Sequence, residues 1–270
     1  MKTFKKVLAI GLAAVMSLMI VACGNGDGGL NSGETEKGKI VFGTNAEFPP
    51  FEYVTSNGII GDFDGVDIAI AKNIADDMGK DVEIKNMEFD SLLIELDNGQ
   101  VDAVIAGLSV TEERKEACDF SIPYYVATQV MIVKEGSDIR RAADMNGKRI
   151  AVIRGYTGQA YVEELGYEYE TFTKGSESIT ELVDGKCDVL VIDSATAEKY
   201  VKDNEGLAIV EDPDTFGVEQ YAVAVKKGNS KLLSRINEYV QKMLDNGTIS
   251  DLSAEYLDKD IPGTATGDAE

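Results

Sequence analysis

The chain predicts an α/β fold built as two lobes. Three observations carry that expectation. Apolar strands alternate with amphipathic helices from Lys39 onward, and a helix–glycine–strand pattern occurs twice. Roughly 220 residues remain once the two ends are set aside, enough for two modest domains.

Lys39–Thr44 reads as the first strand. Val66–Met78 reads as a helix, because Ile70, Ile74 and Met78 fall one turn apart and Gly79 can end it. Val82–Lys85 follows as a strand, Asp90–Leu96 as a helix and Asp102–Ala106 as a buried strand. Thr111 suits a helix N-cap, with Glu112 and Glu113 at the positive end of the helix dipole. Further strands are expected near Arg149–Ile153, Tyr169–Phe172, Val189–Ile192 and Tyr221–Val225. Helices are expected near Gly158–Glu164, Glu177–Asp184 and Ala195–Lys202. Lys231–Leu244 is a long helix, with Leu232, Ile236, Val240 and Leu244 in phase. Such alternation gives mostly parallel sheets.

The repeated pattern aligns on Gly99 and Gly185, which places Asp102 against Asp188 and Gly107 against Asp193. Each copy reads helix, glycine stop, buried strand, then a position just past the strand end. Two lobes of similar plan would present those ends to one cleft, where open α/β sheets take ligands.

The ends are not expected in the fold. Lys2, Lys5 and Lys6 precede the apolar stretch Val7–Ala22, the make-up of a secretory signal at 1–22. Ile20-Val21-Ala22-Cys23 looks like a lipobox, in which Cys23 takes a palmitate-type diacyl anchor; a secreted protein with a chance cysteine is the alternative. Residues 23–38, rich in Gly, Asn, Ser and Glu, read as a lipidated tether. That arrangement puts the protein outside the cytoplasm, held on the outer face of the cell membrane only through its lipid. Residues 259–270 read as a flexible tail.

The formal net charge is −22, and the leader removes lysines but no acids. Such acidity argues against nucleic acid or anionic lipid as a partner and suits cationic solutes. With no His, and Cys118 and Cys187 the only cysteines beyond Cys23, no zinc or other metal site is expected, and no cofactor. The two cysteines fall in different predicted lobes and read as buried free thiols.

Residues 106–115, Ala-Gly-Leu-Ser-Val-Thr-Glu-Glu-Arg-Lys, run from a buried strand through a loop into a helix. Arg114 is then near the strand end beside Ser109, where its planar fork of donors can grip a carboxylate. A solvated arginine on a first helical turn is the plainer alternative. The segment resembles that of the extracytoplasmic solute-binding proteins (family 3) of polar amino-acid ABC transporters, in lipoprotein form, and the resemblance runs from about Lys39 to Leu257.

The resemblance implies a two-lobed periplasmic-binding-protein-like fold (type II) that binds its ligand in the interlobe cleft. Crossover hinges are implied near Val126–Val130 and Val218–Val223, with lobe 1 at 39–127 and 222–258 and lobe 2 at 128–221. It implies a monomer that is not an enzyme, takes an amino acid by lobe closure and serves an ABC permease and ATPase. Arg114 matches the position that pairs with the ligand carboxylate, with Ser109 beside it. Gly107 matches a carbonyl contact to the ammonium, and Ala106 lines the same turn. Gly155-Tyr156-Thr157-Gly158 resembles a Gly-Thr-Thr turn in which Thr157, at a helix start, donates to the carboxylate; Tyr156 departs from that pattern. Asp193 matches the acid that binds the ammonium, and a helix N-cap is its alternative.

Phe48 and Phe89 match two aromatic walls for the ligand side chain, although an isolated Phe also reads as core. Phe51 is assigned to the core. Asn45 stands where relatives that take cationic ligands carry Asp; Glu47 or Glu52 could restore the charge or be loop residues. Gln159 reaches towards the pocket rim. Cationic, polar uncharged and cystine-like amino acids all remain open. The alternative activity on this scaffold is a cyclohexadienyl (arogenate) dehydratase, but that needs a poised acid, and Glu47, Glu163 and Glu164 stand in no catalytic motif.

Overall fold

The computed structural model describes residues 38–259 together with Ile261, Thr264 and Thr266. The signal segment, the lipobox at Cys23 and nearly all of the tether lie outside the described residues.

The chain opens with β1 (Lys39–Thr44) and a small antiparallel meander, β2 (Glu47–Phe48), β3 (Glu52–Val54) and β4 (Phe63–Asp64). Strands of two or three residues carry no readable alternation, so the meander has no counterpart among the expected elements. Helix α1 (Val66–Asp77) buries Val66, Ile68, Ile70 and Ile74, and β5 (Asp81–Asn86) follows. After α2 (Leu92–Asp97) comes β6 (Ala103–Val104), which is shorter than expected. Next are α3 (Glu112–Ala117), β7 (Cys118–Phe120) and the long β8 (Tyr125–Lys134). The chain continues through β9 (Ile150–Ile153), α4 (Thr157–Glu164), β10 (Tyr169–Phe172), α5 (Gly175–Val183), β11 (Val189–Asp193) and α6 (Ser194–Asp203). It closes with β12 (Leu207–Val210), β13 (Val218–Tyr221), β14 (Ala224–Lys226), α7 (Ser230–Asp245) and α8 (Thr248–Asp258).

Two larger sheets result. The first has the order β5-β1-β6-β14-β7 and the second the order β10-β9-β11-β8-β12. Parallel pairs form one end of each sheet, β1 with β5 and β6, and β9 with β10 and β11. The pairs at the other end are antiparallel, so the sheets are mixed rather than mostly parallel, because the crossover strands return in the opposite sense. The chain passes between the sheets on two strands. Strand β8 pairs with β13 over Tyr125–Thr128 and with β11 over Gln129–Val133. The strand expected at Tyr221–Val225 is split for the same reason. Up to Tyr221 the chain pairs with β8; from Ala222, whose N–H donates to the Leu108 carbonyl, it joins the first sheet. The protein is thus two-lobed, and the chain changes sheet along β8 and between β13 and β14.

The repeated pattern is structural. Gly99 and Gly185 both take positive φ, 72° and 74°, to end α2 and α5. Asp102 accepts the Val41 N–H and Asp188 the Arg149 N–H, each at 2.8 Å, so each acid fastens its strand to the neighbouring parallel strand. Cys118 and Cys187 are buried free thiols.

The segment expected as a loose tail is anchored where it is described. Ile261 is buried, and Asn204 at the end of α6 donates to the Thr264 carbonyl and accepts from the Thr266 N–H, both at 2.7 Å. Among the described residues no helix is long and apolar enough to cross a membrane.

Helix α3 is only six residues long and buries none of them. It depends on its cap, where Thr111 Oγ1 accepts the Arg114 N–H at 3.1 Å. Thr111→Ala is therefore expected to lower stability by about 1 kcal/mol in urea unfolding.

Candidate functional site

The first sheet supplies one side of the site through the turn after β6. Gly107 takes φ +52°, and a Cβ there would stand 2.4 Å from the Phe48 ring. Its N–H donates to Asp67 Oδ2 at 2.7 Å, and the Tyr124 hydroxyl donates to the same oxygen. Glu52 is fully buried, and neither of its carboxyl oxygens has a hydrogen-bond partner among the described residues. Burial, reinforced by the neighbouring Asp67 carboxylate, raises Glu52 well above its ordinary value, and burial raises Asp67 to about 6 against the bonds from Gly107 and Tyr124.

Arg114 reaches from α3 across the cleft. Nη1 donates to the Ser109 carbonyl at 2.8 Å and Nη2 to the Gly155 carbonyl at 2.9 Å, while the guanidinium lies 5.2 Å from the Phe89 ring centre. It is half-buried rather than solvated, and burial lowers its pKa while Glu219 and Asp193 oppose that shift.

The second sheet supplies Asp193 at the end of β11 and Thr157 at the start of α4. The Asp193 side chain does not cap α6; it accepts from the Tyr221 hydroxyl inside the cleft. Burial, reinforced by nearby Glu219, pushes Asp193 up to about 7, against the bonds from Tyr221 and Gln129.

One cavity is lined by Phe48, Phe89, Ala106, Gly107, Ser109 and Arg114 from the first side and by Tyr156, Thr157 and Asp193 from the second. It has about 10 Å³ of room for the centre of a water, space for about one such molecule. Tyr156 accounts for the tightness. Its ring stands between the two expected walls, 5.3 Å from Phe48 and 4.5 Å from Phe89. Beyond Arg114 the cleft opens into a wider groove whose rim carries Asp90, Glu113 and Glu163, and Gln159 lies in that groove.

Three expected site residues do not line the cavity. Asn45 is buried, gives Nδ2 to the Met87 carbonyl and accepts from the Tyr156 hydroxyl. Glu47 turns to α5, 3.8 Å from Lys174 Nζ and 3.4 Å from Ser176 Oγ. Gly158 is a packing position, since a Cβ there would meet Gln129 Oε1 at 2.8 Å. Conversely, Tyr156, Glu219, Gln129 and Tyr221 have places in or around the site that the sequence reading does not assign. The signal for Glu219 is the alternation of β13: Val218 and Gln220 face out, so Glu219 and Tyr221 face in. Among the described residues no cluster of His, Cys, Asp and Glu could hold a metal.

Residues 40–259 match the bacterial extracellular solute-binding proteins, family 3. The chain belongs to this family. It is 32% identical to the arginine-binding extracellular protein ArtP of Bacillus subtilis, over 94% of this chain and 98% of that protein. It is 31% identical to the glutamine-binding protein GlnH of the same species, over 95% and 98%. Among solved structures, the arginine-, lysine-, histidine-binding protein ArtJ of Geobacillus stearothermophilus aligns with a TM-score of 0.76 at 35% identity, covering 83% of this chain and 97% of that one. An ancestral arginine-binding protein bound to glutamine aligns with a TM-score of 0.75 at 40% identity, covering 83% and 99%. The family binds solutes rather than transforming them, so the dehydratase alternative falls.

Two outcomes follow from the geometry. Gly107→Ala forces a side chain at positive φ into the Phe48 ring, and is expected to cost about 2 kcal/mol or more in denaturant unfolding. The second concerns Asp193, whose raised pKa means that the folded protein keeps a proton the unfolded chain gives up. That contribution is complete below about pH 4 and is lost as pH rises through about 7. Asp193→Asn, which cannot ionise, is expected to raise the ligand-free melting temperature more at pH 8 than at pH 4, read by calorimetry.

Proposed function

We propose that the protein captures a polar α-amino acid, cationic in preference to neutral, between its two lobes and delivers it to the permease of an ABC importer. The observation that carries this reading is the meeting of Arg114 and Asp193 at one cavity from opposite sides of the cleft. An α-amino acid has a carboxylate and an ammonium at fixed separation, and a guanidinium facing a carboxylate across a sheltered gap matches both. Arg114, Ser109 and the start of α4 at Thr157 take the carboxylate, the last as a helix N-terminus. Asp193 and the Gly107 carbonyl take the ammonium. Ala106 lines the turn, and Phe48 and Phe89, with the Tyr156 ring between them, form the aromatic face towards the side chain. Asn45, Glu47 and Gly158 act behind this set, as supports of Tyr156, α5 and α4.

The charges favour a cationic solute. Among the described residues, Asp193 and Glu219 both act on the one guanidinium of Arg114. A zwitterion leaves one negative charge over, whereas a cationic side chain neutralises it. The relatives named for arginine point the same way, and the one named for glutamine keeps a neutral solute in view.

The lobes are proposed as 39–127 with 222–258, and 128–221, since β8 and β13 change sheet near those limits. The protein acts as a monomer, held at the membrane by a lipid on Cys23 after cleavage of the signal at 1–22, with 23–38 as the tether. This part rests on the lipobox pattern alone.

Thermal shift of ligand-stripped protein against the full set of amino acids is the test. A bound solute must raise the melting temperature, most for arginine, lysine or histidine. Silence from every amino acid would sink the reading. Arg114→Ala is expected to abolish the shift while the circular dichroism spectrum is unchanged; retained affinity would mean that the carboxylate docks elsewhere.

A further inference from the structure

Glu219 is 8% exposed, and beyond its charge its hydrogen bonds have been given no role so far. Its place is fixed by β13, where it opposes Ala127 of β8 and, by strand alternation, points into the cleft. There its Oε2 accepts from two hydroxyls. One is Ser109 Oγ, on the turn of the first sheet; the other is Thr157 Oγ1, at 2.8 Å, on α4 of the second. Its Oε1 is buried with no hydrogen-bond partner.

The protons can be counted. A hydroxyl has one proton to donate. Ser109 gives its proton to Glu219, and so does Thr157, which accepts from Gln129 Nε2 at 3.0 Å. Neither hydroxyl then has a proton for a solute carboxylate. Arg114 does not hydrogen-bond Glu219; its Nη1 and Nη2 donate to the carbonyls of Ser109 and Gly155. An internal carboxylate therefore sits on the hydroxyl donors that a bound amino acid would use. Because one hydroxyl comes from each side, the same bonds tie the cleft shut. The tie has a firm base, since the Val110 N–H donates to the Gln220 carbonyl at 2.8 Å and Ser109 bridges to Tyr221.

We propose that Glu219 is an internal competitor for the solute's carboxylate: it holds the cleft closed through Ser109 and Thr157, and the solute's carboxylate must displace it. Two carboxylates cannot share the same two hydroxyl protons, and at close range they repel. The competitor part rests on the proposed docking of the solute carboxylate at Ser109, Thr157 and Arg114; the closing part needs no solute.

Full-length, ligand-stripped protein tests both parts. In small-angle X-ray scattering without solute, Glu219→Ala is expected to show a larger radius of gyration than wild type. Glu219→Gln, which keeps a carbonyl acceptor, is expected to lie between them. Should Glu219→Ala fail to fold by circular dichroism, Ser109→Ala with Thr157→Val removes the same two bonds from the other side and is read in the same way. A variant as compact as wild type overturns the proposal.

Calorimetric titration then compares L-arginine with agmatine, the same molecule without its carboxylate. Loss of the Glu219 charge affects both probes, so their affinity ratio isolates the carboxylate. In Glu219→Ala the preference for arginine over agmatine is expected to grow about tenfold, the worth of roughly one hydrogen bond. An unchanged or smaller preference overturns the competitor role and makes Glu219 an ordinary support of the two hydroxyls. If wild type and variants bind neither probe and no amino acid shifts the melting temperature, the functional reading fails, and the scattering result still decides whether Glu219 closes the cleft.

Discussion

The antiparallel pairing of β8 with β13 is the constraint on which the rest of the molecule depends. Four residue pairs, from Val218–Thr128 to Tyr221–Tyr125, hold the two crossovers side by side. Strand alternation then decides which side chains reach the cleft and which reach solvent. Val126 and Val218 are exposed, while Glu219 and Tyr221 are buried. Gln129 lies further along β8, where that strand turns from β13 to β11. The crossovers therefore furnish polar groups to the site as well as linking the lobes. Tyr221 meets Asp193, Gln129 meets Thr157, and Glu219 meets Ser109 and Thr157. Movement about these strands and occupancy of the cleft are coupled by the same few hydrogen bonds.

The cleft concentrates ionisable groups that folding alone would exclude. Asp193, Glu219, Asp67 and Glu52 are all buried, and Arg114 is the cation among them. Buried acids are costly unless they are paired or keep their protons. Glu52 and Asp67 meet the cost by holding their protons more tightly, since burial raises both. Asp193 is raised to about 7 and is close to balance at neutral pH. In the proposed binding mode a solute ammonium against Asp193 would favour its charged form, so uptake at neutral pH would release a proton.

Much of this was legible in the sequence because it rests on periodicity and punctuation. The phase of Ile70 and Ile74, the glycine stops at Gly99 and Gly185, and the acids at Asp102 and Asp188 each specify a local geometry whatever their distant surroundings. Arg114, Ser109, Thr157 and Asp193 line one cavity, and they were legible from the resembling segments together with their places at strand ends and helix starts. What was not legible depends on partners far along the chain. Glu219 lies 110 residues from Ser109 and 62 from Thr157, and no local pattern links them. The meander of β2, β3 and β4 was missed because its strands are too short to show a period, and Tyr156 because its contacts all come from the other lobe.

Asn45 illustrates how such distant contacts change the reading of a single residue. A neutral side chain at that position argues, from the sequence, against a cationic solute. In the structure the amide has two different neighbours: Nδ2 donates to the Met87 carbonyl at 2.9 Å, and Oδ1 accepts from the Tyr156 hydroxyl at 3.2 Å. An aspartate could accept from Tyr156 but would set its second oxygen against a carbonyl, two acceptors with no proton between them. Asparagine is therefore required by the Met87 carbonyl, which needs a donor that aspartate lacks, while either residue could accept from Tyr156. The neutrality of Asn45 follows from that carbonyl and carries no information about the charge of the solute. The charge balance at the proposed site then rests on Asp193 and Glu219 against Arg114, and it supports the proposed preference for a cation.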